Sequence, residues 1–92
     1  MLALAALALP VLGTLEASKE TFSGSLEGSE LVIRSDGGAV CHGRVVIAGY
    51  GYGSAALSCN DGRTGRVAVH LVGQHGVAYG TLEGKSLSLA LG

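Results

Sequence analysis

From Glu20 onward the chain consists of short runs in which apolar and polar residues alternate, with glycine between the runs. In one such run Val67, Val69 and Leu71 alternate with Arg66 and small or polar residues, which is the period-two pattern of a strand with one buried face. No stretch after Glu20 has helical spacing. The pattern predicts an all-β fold, an antiparallel meander of about seven short strands that forms a rolled sheet or a small barrel.

The turns predict which residues face each other across the strands, because a slip of one residue would turn a strand's apolar face outward. A two-residue turn at 28–29 places Leu26 opposite Leu31. A three-residue loop at 49–51 places Cys41 opposite Cys59, within the distance that a disulfide can bridge. We therefore predict one cross-strand disulfide, Cys41–Cys59, with a structural role.

Two further turns are predicted near the end of the chain. A four-residue loop over Gly73–Gly76 sets Leu71 opposite Ala78. A final turn at 84–85 then sets Leu82 opposite Leu87.

Five glycines fall inside predicted strands, on the apolar face: Gly24, Gly43, Gly53, Gly65 and Gly80. Glycine normally weakens a strand interior, so its presence there indicates a sharp bend or the close approach of another backbone. The alternative is a lane of glycines shaped to receive a partner's backbone or a flat ligand.

The N-terminal segment is uncharged from Met1 to Leu15 and rich in Leu and Ala, which is typical of the apolar region of a signal peptide. We predict a signal peptide over residues 1–17 and a single glycine-rich β domain over residues 18–92, periplasmic or secreted, with no transmembrane span in the mature chain. The alternative is a buried helix or strand at the start of the domain.

Charge and the scarcity of catalytic residue types argue against several classes of function. The formal net charge is −1 and the six basic residues are dispersed, which argues against nucleic acid as a partner. His42, His70 and His75 lack the spacing of a metal site, and no nucleophile or acid–base pair assembles. We expect no enzymatic activity, no cofactor and no metal.

Candidate binding residues lie near two predicted loops. Tyr50 and Tyr52 flank the tip of the disulfide-bearing hairpin, where aromatic side chains suit a partner contact but also serve as local cover. His75 lies in the predicted 73–76 loop, and Tyr79 follows that loop. The expected partner is an envelope or secreted protein or a glycan, and self-association is also possible.

The segments Cys41-His-Gly43, Leu57–Gly65 and Gly80–Gly92 resemble a group of short, glycine-rich, exported bacterial proteins. The most specific part is Cys-x-x-Asp-Gly-Arg-x-Gly, preceded by the upstream Cys-x-Gly. This resemblance implies a β fold and an envelope or secreted location, and it carries no implication about catalysis.

A weaker resemblance is to the small periplasmic β-barrel inhibitors of C-type lysozyme, whose Ser-Gly-x-basic-Tyr loop enters the enzyme's active site. The nearest segment here is His75–Tyr79, which has His75 in place of the serine and Ala78 in place of the basic residue. The first expectation is a non-enzymatic exported β module with a binding or structural role in the cell envelope. The alternative is a secreted or periplasmic inhibitor of a cell-wall hydrolase.

Overall fold

The described residues form a closed, eight-stranded antiparallel barrel in which each strand pairs with the next and the last pairs with the first. A computed structural model describes residues 8–92. Among these residues there is no helix long and apolar enough to cross a bilayer. The all-β prediction is confirmed and the rolled sheet is closed. The strands are β1 (Ala8–Leu15), β2 (Glu20–Glu27), β3 (Glu30–Ser35), β4 (Val40–Gly49), β5 (Tyr52–Cys59), β6 (Thr64–Val72), β7 (His75–Leu82) and β8 (Lys85–Leu91).

The strand count differs from the predicted seven because β1 lies within the segment predicted as a signal peptide. Residues 1–7 of that segment lie outside the described residues, whereas residues 8–15 pair with β2 on one side and β8 on the other. Val11 and Leu15 of β1 are buried in the core. A chain that began at residue 18 would therefore lack the strand that closes the barrel.

Large apolar side chains and glycines alternate around the interior. Leu57 on β5, for example, lies between Gly43 on β4 and Gly65 on β6. A Cβ atom on Gly65 would collide with the carbonyl oxygen of Thr81 on β7, and one on Gly43 with that of Ala56 on β5. The neighbouring strands of the same chain thus occupy the space beside these glycines, which supports the structural interpretation over the ligand lane. Because the strands approach one another closely at these glycines, a small number of large side chains is enough to fill the core.

Two of the predicted pairings are correct. Leu26 faces Leu31 across the 28–29 turn, and Cys41 faces Cys59 between β4 and β5. The loop between β4 and β5 is tighter than predicted, since Gly49 pairs with Tyr52 after an irregularity in the ladder.

The predicted registers of β6 with β7 and of β7 with β8 are wrong, each by two residues. Val69, not Leu71, faces Ala78, and Gly80, not Leu82, faces Leu87. The turns are the two-residue turns 73–74 and 83–84. A register shift of two residues keeps every side chain on its predicted face, so the alternation of apolar and polar residues cannot distinguish the two registers. The observed pairing brings glycine opposite large residues, which fills the interior better.

The turns alternate between the two ends of the barrel. One end, which we call the ionic end, carries turns 16–19, 36–39, 60–63 and 83–84. The opposite end, the open end, carries turns 28–29, 50–51 and 73–74.

Candidate functional site

The outer surface of β5, β6 and β7 near the open end carries a cluster of rings and apolar side chains. The sheet register aligns Tyr52, His70 and Val77 in one row across the three strands. The next row toward the ionic end contains Ser54, Ala68 and Tyr79. We call the surface formed by Tyr52, His70, Val72, Val77 and Tyr79 the aromatic wall.

Two rings of the aromatic wall are stacked. The phenol ring of Tyr52 and the imidazole ring of His70 are parallel to within 4°, with their centroids 4.0 Å apart. They face each other because Tyr52 and His70 are direct cross-strand partners. The position of the stack on the wall follows from this cross-strand pairing.

A cleft of about 170 Å³ lies between this stack and Tyr79. Its lining includes the small residues Gly53 and Ala68, which leave space between the larger side chains. Tyr79 is 61% exposed and Tyr52 is 57% exposed, so both rings are open to solvent.

The polar atoms around the cleft are free to bind a ligand. No side-chain hydrogen bond within residues 8–92 involves the phenol oxygen of Tyr52 or Tyr79, or the imidazole of His70. The two hydroxyls can each donate and accept, and a neutral imidazole does both at its two nitrogens.

A second, more open hollow of about 320 Å³ adjoins the first at His70. It is lined by His75 and Val72, which are cross-strand partners, and by Val77. His70 therefore contributes to both hollows.

The predicted candidate residues are only partly brought together. Tyr52 and Tyr79 line the first cleft, His75 lines the second hollow, and Tyr50 lines neither. Tyr50 projects from the 50–51 turn with 98% of its surface exposed. His75 and Gly76 were expected to lie in the 73–76 loop, but they belong to strand β7 because the turn contains only residues 73 and 74.

His70, which lines both hollows, is not among the candidate binding residues predicted from the sequence. The signal that identifies it is the pairing of β5 with β6: with Ser58 opposite Thr64 across the 60–63 turn, Tyr52 falls opposite His70.

The aromatic wall contains no charged side chain. None of the seven acidic and six basic residues lies on β1, β5 or β7, and Arg66 is the only one on β6. Arg66 pairs with Ala56 and Thr81, nearer the ionic end than the cleft. By contrast, the outer surface of β3 and β4 carries Arg34 and Arg44, and we call it the charged wall.

The ionic end is closed by an arginine that spans the barrel mouth. Arg63, just before β6, donates two hydrogen bonds to the carboxylate of Glu20 on β2, at 2.8 and 3.0 Å. It donates a third to Asp61, at 2.9 Å. Strands β2 and β6 are opposite each other in the eight-strand ring, so this ion pair crosses the mouth.

The same ion pair shifts the pKa values of both Glu20 and Arg63. The hydrogen bond from Arg63 holds the pKa of the Glu20 carboxyl below its ordinary value, and the Glu20 carboxylate raises the pKa of Arg63. Both shifts favour the charged forms. Because Arg63 is fully engaged with carboxylates, we assign this end to stability and not to ligand binding.

The predicted disulfide is present. Cys41 and Cys59 are bonded, with their Cα atoms 3.9 Å apart, and both are buried. A disulfide is compatible with an oxidising extracellular or periplasmic environment.

No group of three or more histidine, cysteine or acidic side chains within residues 8–92 is placed to hold a metal ion. Fold and site together define an antiparallel meander barrel with one ionic end and one uncharged aromatic wall. No protein-family model matches the chain, and neither a curated protein nor a solved structure matches it.

Proposed function

We propose that this protein is a non-enzymatic binding module of an oxidising compartment, periplasmic or secreted, which holds its partner on the aromatic wall. The observation that carries the proposal is the exposure of rings and aliphatic side chains on a wall without charge. Tyr52, Tyr79 and Val72 are each more than half exposed on the same outer surface. Exposed apolar clusters on small proteins are characteristic of interaction sites.

The barrel makes this wall a suitable binding surface. Closure leaves no strand edge free for pairing among β1–β8, so a partner cannot add a strand to the barrel, and the side chains of the outer face remain available for contact. The rings lie on strands, not on loops, and they therefore need little ordering when a partner binds.

An inhibitor of a cell-wall hydrolase is the less favoured function. Such an inhibitor was expected to insert the His75–Tyr79 segment into an enzyme, but that segment is a strand within the barrel wall. The serine and the basic residue of the inhibitors' loop are also absent, since His75 and Ala78 stand in their places.

The test is affinity capture from a periplasmic and envelope fraction, with bound protein identified by mass spectrometry and bound glycan by monosaccharide analysis. The immobilised proteins are the unmodified chain, a Tyr52→Ala/Tyr79→Ala variant and a Tyr50→Ala control. Tyr50 is the matched control because it is exposed but lines neither hollow.

We expect a component that the unmodified chain and Tyr50→Ala retain and that the double variant loses. If the double variant retains everything that the unmodified chain retains, the aromatic wall is not the binding surface and the proposal is wrong.

A further inference from the structure

The cleft between the Tyr52–His70 stack and Tyr79 has the shape of a slot for one ring. Its lining includes the rings of Tyr52, His70 and Tyr79 and the small residues Gly53 and Ala68. A ligand ring can therefore lie close to the sheet with its face against Tyr79. The volume, about 170 Å³, suits a single small ring better than a folded peptide segment.

The charge around the cleft limits the ligand to neutral groups. No Asp, Glu, Lys or Arg lies on β5 or β7, and Arg66 on β6 lies outside the cleft lining. A charged ligand would lose hydration there without gaining an ion pair, which is unfavourable. Charge matching thus favours a neutral occupant.

The free polar atoms specify a ligand with hydroxyl groups at its edge. Tyr52, Tyr79 and His70 line the slot and carry two phenol hydroxyls and one imidazole, and none of these groups is engaged in a side-chain hydrogen bond within residues 8–92. A pyranose has the complementary form, since its ring faces present C–H groups and its perimeter presents hydroxyls. A C–H face packs on an aromatic ring while the hydroxyls bind the rim.

We propose that this cleft binds a neutral pyranose ring of an oligosaccharide, with Tyr79 and the Tyr52–His70 stack as its walls. This proposal rests on the proposed function, because it names the ligand of the same wall. A protein side chain in the same slot is the competing occupant, and the experiment separates the two.

The experiment is NMR titration of ¹⁵N-labelled protein with three neutral probes, chitotetraose, maltotetraose and cellotetraose, up to millimolar concentration. The charged control probe is tetragalacturonate. The unmodified chain is compared with Tyr79→Ala, with Tyr79→Phe, which keeps the ring, and with Tyr50→Ala.

We expect at least one neutral probe to shift the amide signals of Gly53, Ala68 and Tyr79. Tyr79→Ala should weaken that binding about tenfold, because the ring face is lost. Tyr79→Phe should weaken it less, and Tyr50→Ala should bind as the unmodified chain does.

The proposal is overturned if no neutral probe shifts these signals, or if tetragalacturonate binds as tightly as the neutral probes. If a protein captured by the aromatic wall is then lost in the Tyr52→Ala/Tyr79→Ala variant, the proposed function stands and the sugar ligand alone is wrong. If no component depends on the aromatic wall, both proposals fail.

Discussion

The ionic end and the aromatic wall use polar side chains in opposite ways. At the ionic end Arg63, Glu20 and Asp61 satisfy one another, and the side chains of Arg63 and Glu20 are only 22% and 17% exposed. At the aromatic wall Tyr52 and Tyr79 are mostly exposed, and their hydroxyls bind no side chain or backbone group within residues 8–92.

This difference separates stability from binding within one small domain. Polar groups that are satisfied internally close the barrel mouth and hold the strands in place. Polar groups without an internal partner are available to a ligand. We therefore expect substitutions at the ionic end and in the core to change the free energy of unfolding, and substitutions on the aromatic wall to change binding.

Removal of β1 should have the largest effect, because both regions depend on barrel closure. A chain of residues 18–92 leaves β2 and β8 without their shared neighbour and removes Val11 and Leu15 from the core. We expect loss of the cooperative thermal transition in circular dichroism, compared with a chain of residues 8–92. A cooperative transition that survives in residues 18–92 would show that the domain does not need β1.

Loss of the disulfide should destabilise the whole barrel, including the strand that carries Tyr52. The bond closes a loop across 18 positions, so replacing both Cys41 and Cys59 by alanine should lower the free energy of unfolding by about 3 kcal/mol. Urea denaturation measures this change. An unchanged midpoint would mean that the bond contributes nothing to stability.

The core glycines should be intolerant of a single methyl group. Gly65→Ala directs a Cβ onto the Thr81 carbonyl oxygen and should destabilise by about 2–3 kcal/mol. Gly49→Ala is the matched control, because nothing lies within 4 Å of its Cβ position. Equal midpoints for the two variants in urea denaturation would contradict the close-approach explanation.

The register of the hairpins shows how far the sequence predicts the fold. Face alternation and the Gly28 turn were sufficient for β2–β3, where Leu26 faces Leu31 as expected. The segment 80–89 is similar in sequence to 24–33, but its turn, 83–84, begins one residue before Gly84, whereas the 28–29 turn begins at Gly28. This earlier turn pairs Gly80 with Leu87. Alternation defines register only to within two residues, and side-chain size decides the rest.

The candidate site was predictable only in part for a related reason. Tyr52 stands out as an aromatic residue beside a constrained turn, whereas His70 gains significance only as its cross-strand partner. The Arg63–Glu20 pair joins residues 43 positions apart across the barrel mouth, and no local pattern indicates such a contact.

Breaking the ion pair at the ionic end should have a moderate, pH-dependent effect. Arg63→Met should lower the free energy of unfolding at pH 7 by about 1–2 kcal/mol. Arg44→Met is the control, since the Arg44–Glu30 pair is 70% and 56% exposed and should contribute less than about 0.5 kcal/mol.

The pH dependence follows from the lowered pKa of Glu20. The contribution of the pair is fully present above the ordinary pKa of 4.5 and is lost as the pH falls through the lower value of the folded state. Denaturation series from pH 7 to pH 2 should show the unmodified chain and Arg63→Met converging at the acid end. A constant difference across this range would rule out the ion pair as the cause.

Substitutions on the aromatic wall should change stability least. Tyr52→Ser and Tyr79→Ser remove exposed rings, and each should change the free energy of unfolding by less than about 0.5 kcal/mol. If urea denaturation shows that the free energy of unfolding falls by more than about 2 kcal/mol, these rings stabilise the fold. The proposed difference between the aromatic wall and the ionic end would then be wrong.

Site-specific photo-cross-linking tests most directly whether the aromatic wall, and not the charged wall, meets the partner. The photoreactive residue p-benzoylphenylalanine is placed at position 79 in one variant and at position 42 in another, because His42 lies exposed on the outer face of β4. After irradiation of expressing cells, we predict a cross-linked product of increased mass from position 79 and none from position 42. Cross-linking from position 42 alone would contradict the account and move the binding surface to the charged wall.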